Sequence, residues 1–298
     1  MPFDPPDSLR KPLDGRWLWG GVLYWNFAHF VAESLGRLWA LEALDQPING
    51  IVYVPRRGGT RGGLLSFQKG LFAALGIDLP IVVADAPLTV EELVVPGQGF
   101  GLGDITTGTP AFRDYIHTRF GADIAPDGPD RLYISRSQLS ANRGGLLGET
   151  LLEEHLRAEG YEVFSPEAHS IATQIARYKA AKQIVACDGS ALHLLAFCAR
   201  ADPDIAMIIR RKSAPTTLIE RHLTAFTGCA PSRSTISGPN GSIPARAAPA
   251  WRLASRTCPR CKTACAQADL SATPPPGPHC HRSSSATRLA RATRSRPR

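Results

Sequence analysis

Charged and hydroxyl side chains follow one apolar segment of the sequence in a pattern suited to binding an anion. Residues 131–134 read as a β-strand, and residues 135–137, Ser-Arg-Ser, follow it directly. Open α/β sheets bind ligands at the carboxyl ends of their strands. We therefore expect Arg136 to meet a ligand at a sheet edge, with Arg143 and Glu149 following on the next turn and helix.

A second pattern of this kind lies further along the chain. Residues 183–186 read as a short apolar strand, and Asp188, Gly189 and Ser190 lie between this strand and the start of a predicted helix. Backbone N–H groups and the helix dipole make such a position favourable for phosphate. Both patterns fall at strand ends, so we expect two anion-binding loops on the same edge of one sheet.

A histidine and a glutamate lie four residues apart on a predicted helix near the start of the chain. Residues 26–44 show apolar side chains at helical spacing. His29 and Glu33 therefore project from one face of this helix. A carboxylate one turn away can orient an imidazole as a general base. The alternative is an ion pair without a catalytic role, and two ligands alone do not make a metal site.

The elements that must position these side chains alternate along the chain. Residues 16–25 read as a strand pair or as a strand and turn. Further strands are expected at 51–55, 81–84, 91–95 and 205–209, and further helices at 63–75, 110–120 and 216–226. Strands alternating with helices predict parallel α/β sheets.

Composition divides the chain into four segments. A Gly-, Pro- and Asp-rich run at 121–130 has the character of an interdomain linker. We expect an N-terminal extension at 1–15, one α/β domain at 16–125, a second at 130–228, and a disordered tail rich in Arg, Pro, Ala and Ser at 229–298.

The net charge of +8 belongs to the tail. Residues 229–298 carry eleven Arg and one Lys against one acid, which gives +11, so residues 1–228 carry −3. The apolar runs are shorter than the roughly 20 residues that span a bilayer, and the start of the chain lacks the apolar core of a signal peptide. We expect a cytoplasmic protein with at most peripheral membrane contact.

The tail allows several interpretations. Its cysteines and histidines satisfy a crude zinc count, but they lack aliphatic neighbours: Cys258, Cys261, Cys265, Cys280, His279 and His281. A segment so poor in apolar residues is expected to be disordered. It could be a frameshift product, or a basic arm that binds nucleic acid through counterion release. Trp251 is its only aromatic residue, so we do not expect nucleic acid as the main partner.

Several blocks of the sequence, in this order, resemble glycosyltransferase family 61, the capsular polysaccharide biosynthesis type. The similarity extends over about residues 16–226 and rests on the blocks 26–39, 131–138, 143–149, 160–186 and 189–197. The resemblance implies two facing Rossmann-like domains in a GT-B-like arrangement. It also implies an inverting transferase that uses a nucleoside diphosphate sugar donor.

The resemblance also implies roles for single residues. His29 and Glu33 would lie on the acceptor side, where a base deprotonates the attacking hydroxyl. Arg136 and Arg143 would stabilise the leaving diphosphate, and Glu149 would hold an arginine or a sugar or ribose hydroxyl. The acceptor would be a glycan or a lipid-linked glycan, in the synthesis of a bacterial surface or capsular polysaccharide.

Two departures from the family pattern leave alternatives open. Asp188 stands where the family has His, and would repel phosphate unless it caps the helix or a divalent cation, Mn²⁺ or Mg²⁺, intervenes. His193, one turn into that helix, could supply the missing imidazole or pack against the sheet. Gly148 stands where the family often has Asn.

The Asp-Pro-Asp triplet at 202–204 reads as a turn or as a metal-binding motif.

The second domain is shorter than this architecture ordinarily requires. The arginine-rich tail begins where further structure would be expected, so this domain reads as truncated. A catalytically defective homologue is the alternative interpretation.

Overall fold

The protein, seen here in a computed structural model, is an α/β protein built around two parallel sheets. The structure describes residues 12–56, 63–140, 143–199, 203–210 and 213–235. The tail cysteines and histidines, Trp251 and the first residue of the 202–204 triplet lie outside the described residues. The α/β fold class predicted from alternating elements is confirmed.

The first sheet has four parallel strands in the order β3-β2-β1-β4. They are β1 Leu13–Leu23, β2 Gly50–Pro55, β3 Ile81–Val83 and β4 Val90–Val94. Residues 16–25, expected as a strand pair or a strand and turn, lie mostly in one long strand with an irregularity between Trp19 and Gly21. β1 starts inside the segment expected to be an N-terminal extension, because Leu13 pairs with Val90 of β4.

The single helix predicted for 26–44 is wrong in its detail. A short helix α1, Phe27–His29, continues as a π-helix, Phe30–Ser34, and a 3₁₀-helix follows at Leu38–Glu42. The backbone carbonyl of Ser34 accepts a hydrogen bond from the buried Tyr53 hydroxyl at 2.9 Å, and its own hydroxyl donates to Val22 O at 2.8 Å. These bonds tie Ser34 to the sheet and replace a regular helical continuation.

Two further α-helices of the first half lie within the predicted ranges, and a 3₁₀-helix that was not predicted lies between them. They are α2 Ser66–Ala74, a 3₁₀-helix Gly103–Thr107 and α3 Pro110–Arg119. Gly76 follows α2 with a φ of 68°, the left-handed conformation expected just after a helix C-terminus. Thr109 caps α3 by accepting a hydrogen bond from Phe112 N.

The second sheet has five parallel strands in the order β6-β5-β7-β8-β9. The strands are β5 Arg131–Ile134, β6 Glu162–Phe164, β7 Gln183–Cys187, β8 Asp204–Ile209 and β9 Ser232–Thr235. The helices are α4 Glu149–Ala158, α5 Ile171–Ala180, α6 Ala191–Cys198 and α7 Ala214–Thr227, with a 3₁₀-helix at Pro166–Ala168.

The strand β9 corrects the boundary placed at residue 228. Ser232–Thr235 lies in the segment expected to lack strands, yet it pairs in parallel with β8. The Ser232 hydroxyl also donates to Ile205 O at 3.2 Å. An edge strand needs few apolar residues, and this one is short and polar, so hydrophobic patterning could not reveal it.

One hydrophobic cluster joins the two halves of the protein. Phe100 and Phe112 from the first half pack on Phe197 of α6 and Phe226 of α7. Helices α2 and α5 also pack closely, since a Cβ on Gly70 would lie 2.9 Å from the Ile171 side chain. These contacts hold the two halves together. They do not cover the carboxyl ends of the strands.

Candidate active site

A cleft of about 1380 Å³ lies between the two halves. Residues 25–28, at the end of β1 and in α1, contribute to its lining from the first half. From the second half it is lined by residues that follow β5, β7 and β8. Of the predicted site residues, the cleft is lined by Arg136, Arg143, Asp188, Gly189, Ser190 and His193. His29 follows the lining residue Ala28, Glu149 contacts the lining residue Arg136, and Glu33 reaches the cleft only through His29.

Arg136 lines the cleft from the second half. Its Nη2 donates to the carbonyls of Arg143 and Gly144 at 3.0 and 3.2 Å. A Cβ on Gly189 would lie 2.6 Å from Arg136 Nη1, so a larger residue here would displace the end of the Arg136 side chain. Arg136 Nε is buried and has no hydrogen-bond partner in the described part of the chain. Burial, and then the charge of Arg210, lowers the pKa of Arg136.

Glu149 accepts a hydrogen bond from the backbone of Arg136. Its Oε1 accepts hydrogen bonds from Tyr133 Oη and from the Arg136 backbone N–H, both at 2.8 Å. Glu149 is buried, which fits a role in shaping the exit of β5. Glu149 thus contacts Arg136 through the backbone and not through the guanidinium.

The hydroxyl groups at the end of β5 are engaged within the protein. Ser135 is buried, and its Oγ donates to Glu153 Oε1 at 2.6 Å. The same oxygen accepts a hydrogen bond from Ser137 N at 3.0 Å. These contacts fix the turn that carries Arg136 towards the cleft.

Asp188 is held by an ion pair and does not cap α6. Its Oδ1 accepts from Arg210 Nε at 2.8 Å, and its Oδ2 accepts from Thr216 Oγ1 at 2.7 Å. Ser190 occupies the N-cap position, with no side-chain capping hydrogen bond. The N-cap prediction is therefore wrong, because the carboxylate turns towards the end of β8 and the start of α7.

The same contacts bear on the alternative of a divalent cation. Both carboxylate oxygens of Asp188 accept hydrogen bonds, and the Arg210 guanidinium balances the carboxylate charge without a cation. Within the residues that the structure describes, no group of three or more His, Cys, Asp or Glu side chains could hold a metal ion.

Arg210 is a residue that the sequence reasoning missed. It follows β8 directly, which is the same position relative to its strand that drew attention to residues 135–137. Its Nη1 donates to Gly144 O at 2.8 Å, and its Nη2 donates to Asp188 O. The signal for it was available, since the end of a third parallel strand at the same sheet edge is a ligand position.

His29 and Glu33 form a close pair on the first-half side. His29 Nδ1 lies 2.6 Å from Glu33 Oε1, and Tyr24 Oη donates to Glu33 Oε2 at 3.1 Å. The Tyr24 ring stacks on the imidazole with centroids 5.2 Å apart. With Nδ1–H donating to the carboxylate, Nε2 is the nitrogen left to accept a proton. This is the orientation that a general base requires.

His193 lines the cleft and pairs with a second histidine. Its Nδ1 lies 2.8 Å from Nδ1 of His222, which is buried on α7 among aromatic rings. Burial, and then the nearby His29, lowers the pKa of His193 to about 4. Burial, and then His193, lowers the pKa of His222 well below its usual value. Sequence reasoning missed His222, whose partner lies on another helix.

The fold and the cleft define an α/β protein with a cleft at the strand ends of a parallel sheet. A family model described as Glycosyltransferase 61 matches residues 27–204. The match spans more than half of the chain, and the protein belongs to this family. Membership indicates glycosyltransferase activity, with a sugar donor and an acceptor as substrates in general. No curated protein matches the chain.

All predicted site residues lie inside the matched range, whereas other residues of the cleft do not. The match ends at residue 204, before Arg210, Thr216 and His222. The partners of Asp188 and His193 therefore lie in a part of the chain that the family match does not include.

Proposed function

We propose that the protein transfers a sugar from a nucleoside diphosphate sugar to a hydroxyl acceptor, with inversion at the anomeric carbon. The observation that carries this proposal is the set of arginines around the N-terminus of α6. Arg136, Arg143 and Arg210 line the same cleft, at or after the ends of β5 and β8. Asp188 balances the charge of Arg210, and the two remaining guanidinium groups, of Arg136 and Arg143, suit a diphosphate.

In the proposed arrangement the cleft separates two facing Rossmann-like halves, as in a GT-B-like fold. The half at 16–125 would hold the acceptor, and the half from 130 onwards would hold the donor. The parallel order of both sheets and the opening at their strand ends support this assignment. The aromatic cluster that the two halves share would keep the acceptor site and the donor site at a fixed separation.

The donor diphosphate would bind beside Arg136. Arg136 and Ser190, the N-cap residue of α6, both line the cleft, so a diphosphate there would meet a guanidinium and the N-terminus of a helix. As the bond to the sugar breaks, negative charge grows on the diphosphate. Preorganised guanidinium groups stabilise that charge without reorienting, which is usually the largest catalytic contribution.

The acceptor hydroxyl would be activated by His29. Nε2 would take the hydroxyl proton while the acceptor oxygen attacks the anomeric carbon from the face opposite the diphosphate. Glu33 accepts a hydrogen bond from the other ring nitrogen at 2.6 Å, and so would stabilise the imidazolium that forms. A single displacement of this kind inverts the anomeric configuration.

We further propose a glycan or lipid-linked acceptor and a cytoplasmic role in bacterial surface or capsular polysaccharide synthesis. In the described part of the chain, no helix is long and apolar enough to cross a membrane. We propose that contact with a lipid-linked acceptor is peripheral.

The test is donor turnover. The protein would be incubated with UDP-, GDP-, ADP- and CDP-sugars in turn, with glycan acceptors and with water, and nucleoside diphosphate release would be measured. NMR spectroscopy would give the anomeric configuration of the product before mutarotation. We expect release from one donor with inversion. Retention would contradict the mechanism, and no release from any donor would favour a catalytically defective homologue.

A further inference from the structure

We infer that Arg210 is a positioning residue of the donor site, acting through Asp188 and through the loop that carries Arg143. This inference rests on the proposed function, because it concerns the same donor site. It adds a residue outside the family match and explains how this chain accommodates an aspartate beside a phosphate position.

The first step is the burial of the ion pair. The side chains of Arg210 and Asp188 are only 8% and 2% exposed, and Nε lies 2.8 Å from Oδ1. Thr216 on α7 donates to the other carboxylate oxygen at 2.7 Å. The contacts link the ends of β7 and β8 to α7. Removing one partner of such a pair leaves a buried charge uncompensated.

The second step is the contact with the loop after β5. Gly144 O accepts from Arg210 Nη1 at 2.8 Å and from Arg136 Nη2 at 3.2 Å. Gly144 has a φ of 70°, so its backbone is already in a conformation that other residues rarely adopt. Two guanidinium groups therefore fix the loop at the residue next to Arg143, which lines the cleft.

The hydrogen bonds of Arg210 favour a role in positioning other groups over direct contact with the donor. All three guanidinium nitrogens of Arg210 donate to Asp188 or Gly144, and the side chain is only 8% exposed, so little of it faces the cleft. Arg136, in contrast, keeps a buried Nε without a partner among the described residues. Arg210 thus cancels the charge of Asp188, and Arg136 and Arg143 remain to attract the diphosphate.

The experiment is a charge-rescue cycle. UDP, GDP, ADP and CDP would be titrated by calorimetry into the wild-type protein and into the variants Arg210→Gln, Asp188→Asn and the double variant, at equal salt. Arg221→Gln, an exposed arginine on the same helix α7, is the control. Thermal melting would be recorded for each variant in parallel.

We expect Arg210→Gln to weaken binding of the preferred nucleotide by about tenfold or more, because it leaves the Asp188 carboxylate unbalanced beside the phosphates. Adding Asp188→Asn should restore most of the affinity, and Arg221→Gln should change little. A double variant as weak as Arg210→Gln would overturn the inference and indicate direct contact with phosphate. Wild-type affinity in Arg210→Gln would also overturn it.

The charge-rescue cycle gives different results if this inference fails and if the proposed function fails. If the wild-type protein binds none of the four nucleotides, the proposed donor site is wrong and the inference falls with it. If the wild-type protein binds one nucleotide but the cycle shows no rescue, only the role of Arg210 is wrong. Should Arg210→Gln fail to fold, Arg210→Lys would keep the charge while losing the planar fork, and we expect intermediate affinity.

Discussion

At the scale of single residues, the candidate site contains some groups that hydrogen-bond within the protein and others that do not. Glu33 accepts hydrogen bonds from both Tyr24 and His29. Asp188 is balanced by an arginine, whereas Arg136 retains an unused buried donor among the described residues. The engaged groups would orient the site, and the unused ones would meet substrate.

Replacing His29 by Ala should reduce turnover without loss of donor affinity. General bases contribute about 10²–10⁴-fold to the rate, so we expect kcat to fall within that range while nucleoside diphosphate affinity stays unchanged. Glu33→Gln should lower kcat less, because the ring keeps a hydrogen-bonding partner. Steady-state kinetics and calorimetry check both. Unchanged turnover in His29→Ala would exclude this residue as the base.

The pair formed by His193 and the buried His222 predicts a loss of stability in acid. The pKa of His193 falls from 6.5 to about 4 on folding. Between pH 6.5 and about 4, the unfolded chain therefore binds more protons than the folded chain does. The free energy of unfolding should decrease as pH falls through this range. This residue alone would account for at most about 3 kcal/mol.

Urea denaturation at several pH values tests this dependence. His193→Gln should flatten the slope between about pH 6.5 and 4, because the unfolded chain then loses one of its extra protons. His155→Gln, on the exposed side of α4, is the matched control and should leave the slope unchanged. An unaltered slope in His193→Gln would show that other groups dominate acid unfolding.

At the scale of elements, much of the site's positioning could be predicted from the sequence. Short apolar runs indicated most of the strands, and the strand after residue 130 placed Arg136 at a sheet edge. The spacing of His29 and Glu33 gave a close pair even though the helix is partly of the π type. The Asp188–Arg210 pair could not be predicted, because its partners are 22 residues apart and meet only through the parallel pairing of β7 and β8.

The π-helix should depend on its bond to the first sheet. Tyr53→Phe removes the buried hydroxyl that donates to Ser34 O at 2.9 Å. A buried carbonyl that loses its partner destabilises a protein by about 1–3 kcal/mol. Chemical denaturation measures this change, and Tyr161→Phe, at a partly buried tyrosine of the second half, is the control. Equal effects of the two substitutions would contradict the proposed anchoring.

At the scale of the whole molecule, the shared aromatic cluster should make the two halves unfold together. Phe197 on α6 contacts Phe100, Phe112 and Phe120 of the first half. Its truncation would leave a cavity between the halves. We therefore expect Phe197→Ala to lower the free energy of unfolding by about 3–5 kcal/mol.

Tryptophan fluorescence reports on the first half of this structure, where the described tryptophans lie: Trp17, Trp19, Trp25 and Trp39. Phe197→Ala should move this transition together with the circular dichroism transition of the whole protein. A fluorescence transition that stays in place while the dichroism transition moves would show that the halves unfold independently.

The measurement that tests the central claim most directly is the melting temperature of the purified protein with UDP, GDP, ADP and CDP and their sugars, with and without Mn²⁺ or Mg²⁺. A ligand that binds the native state raises its stability. We predict that one nucleotide raises the melting temperature of the wild-type protein, that added metal is not required, and that Arg136→Ala loses the effect while Arg221→Gln keeps it. A protein that melts cooperatively and responds to none of these ligands would contradict a nucleoside diphosphate sugar site in this cleft.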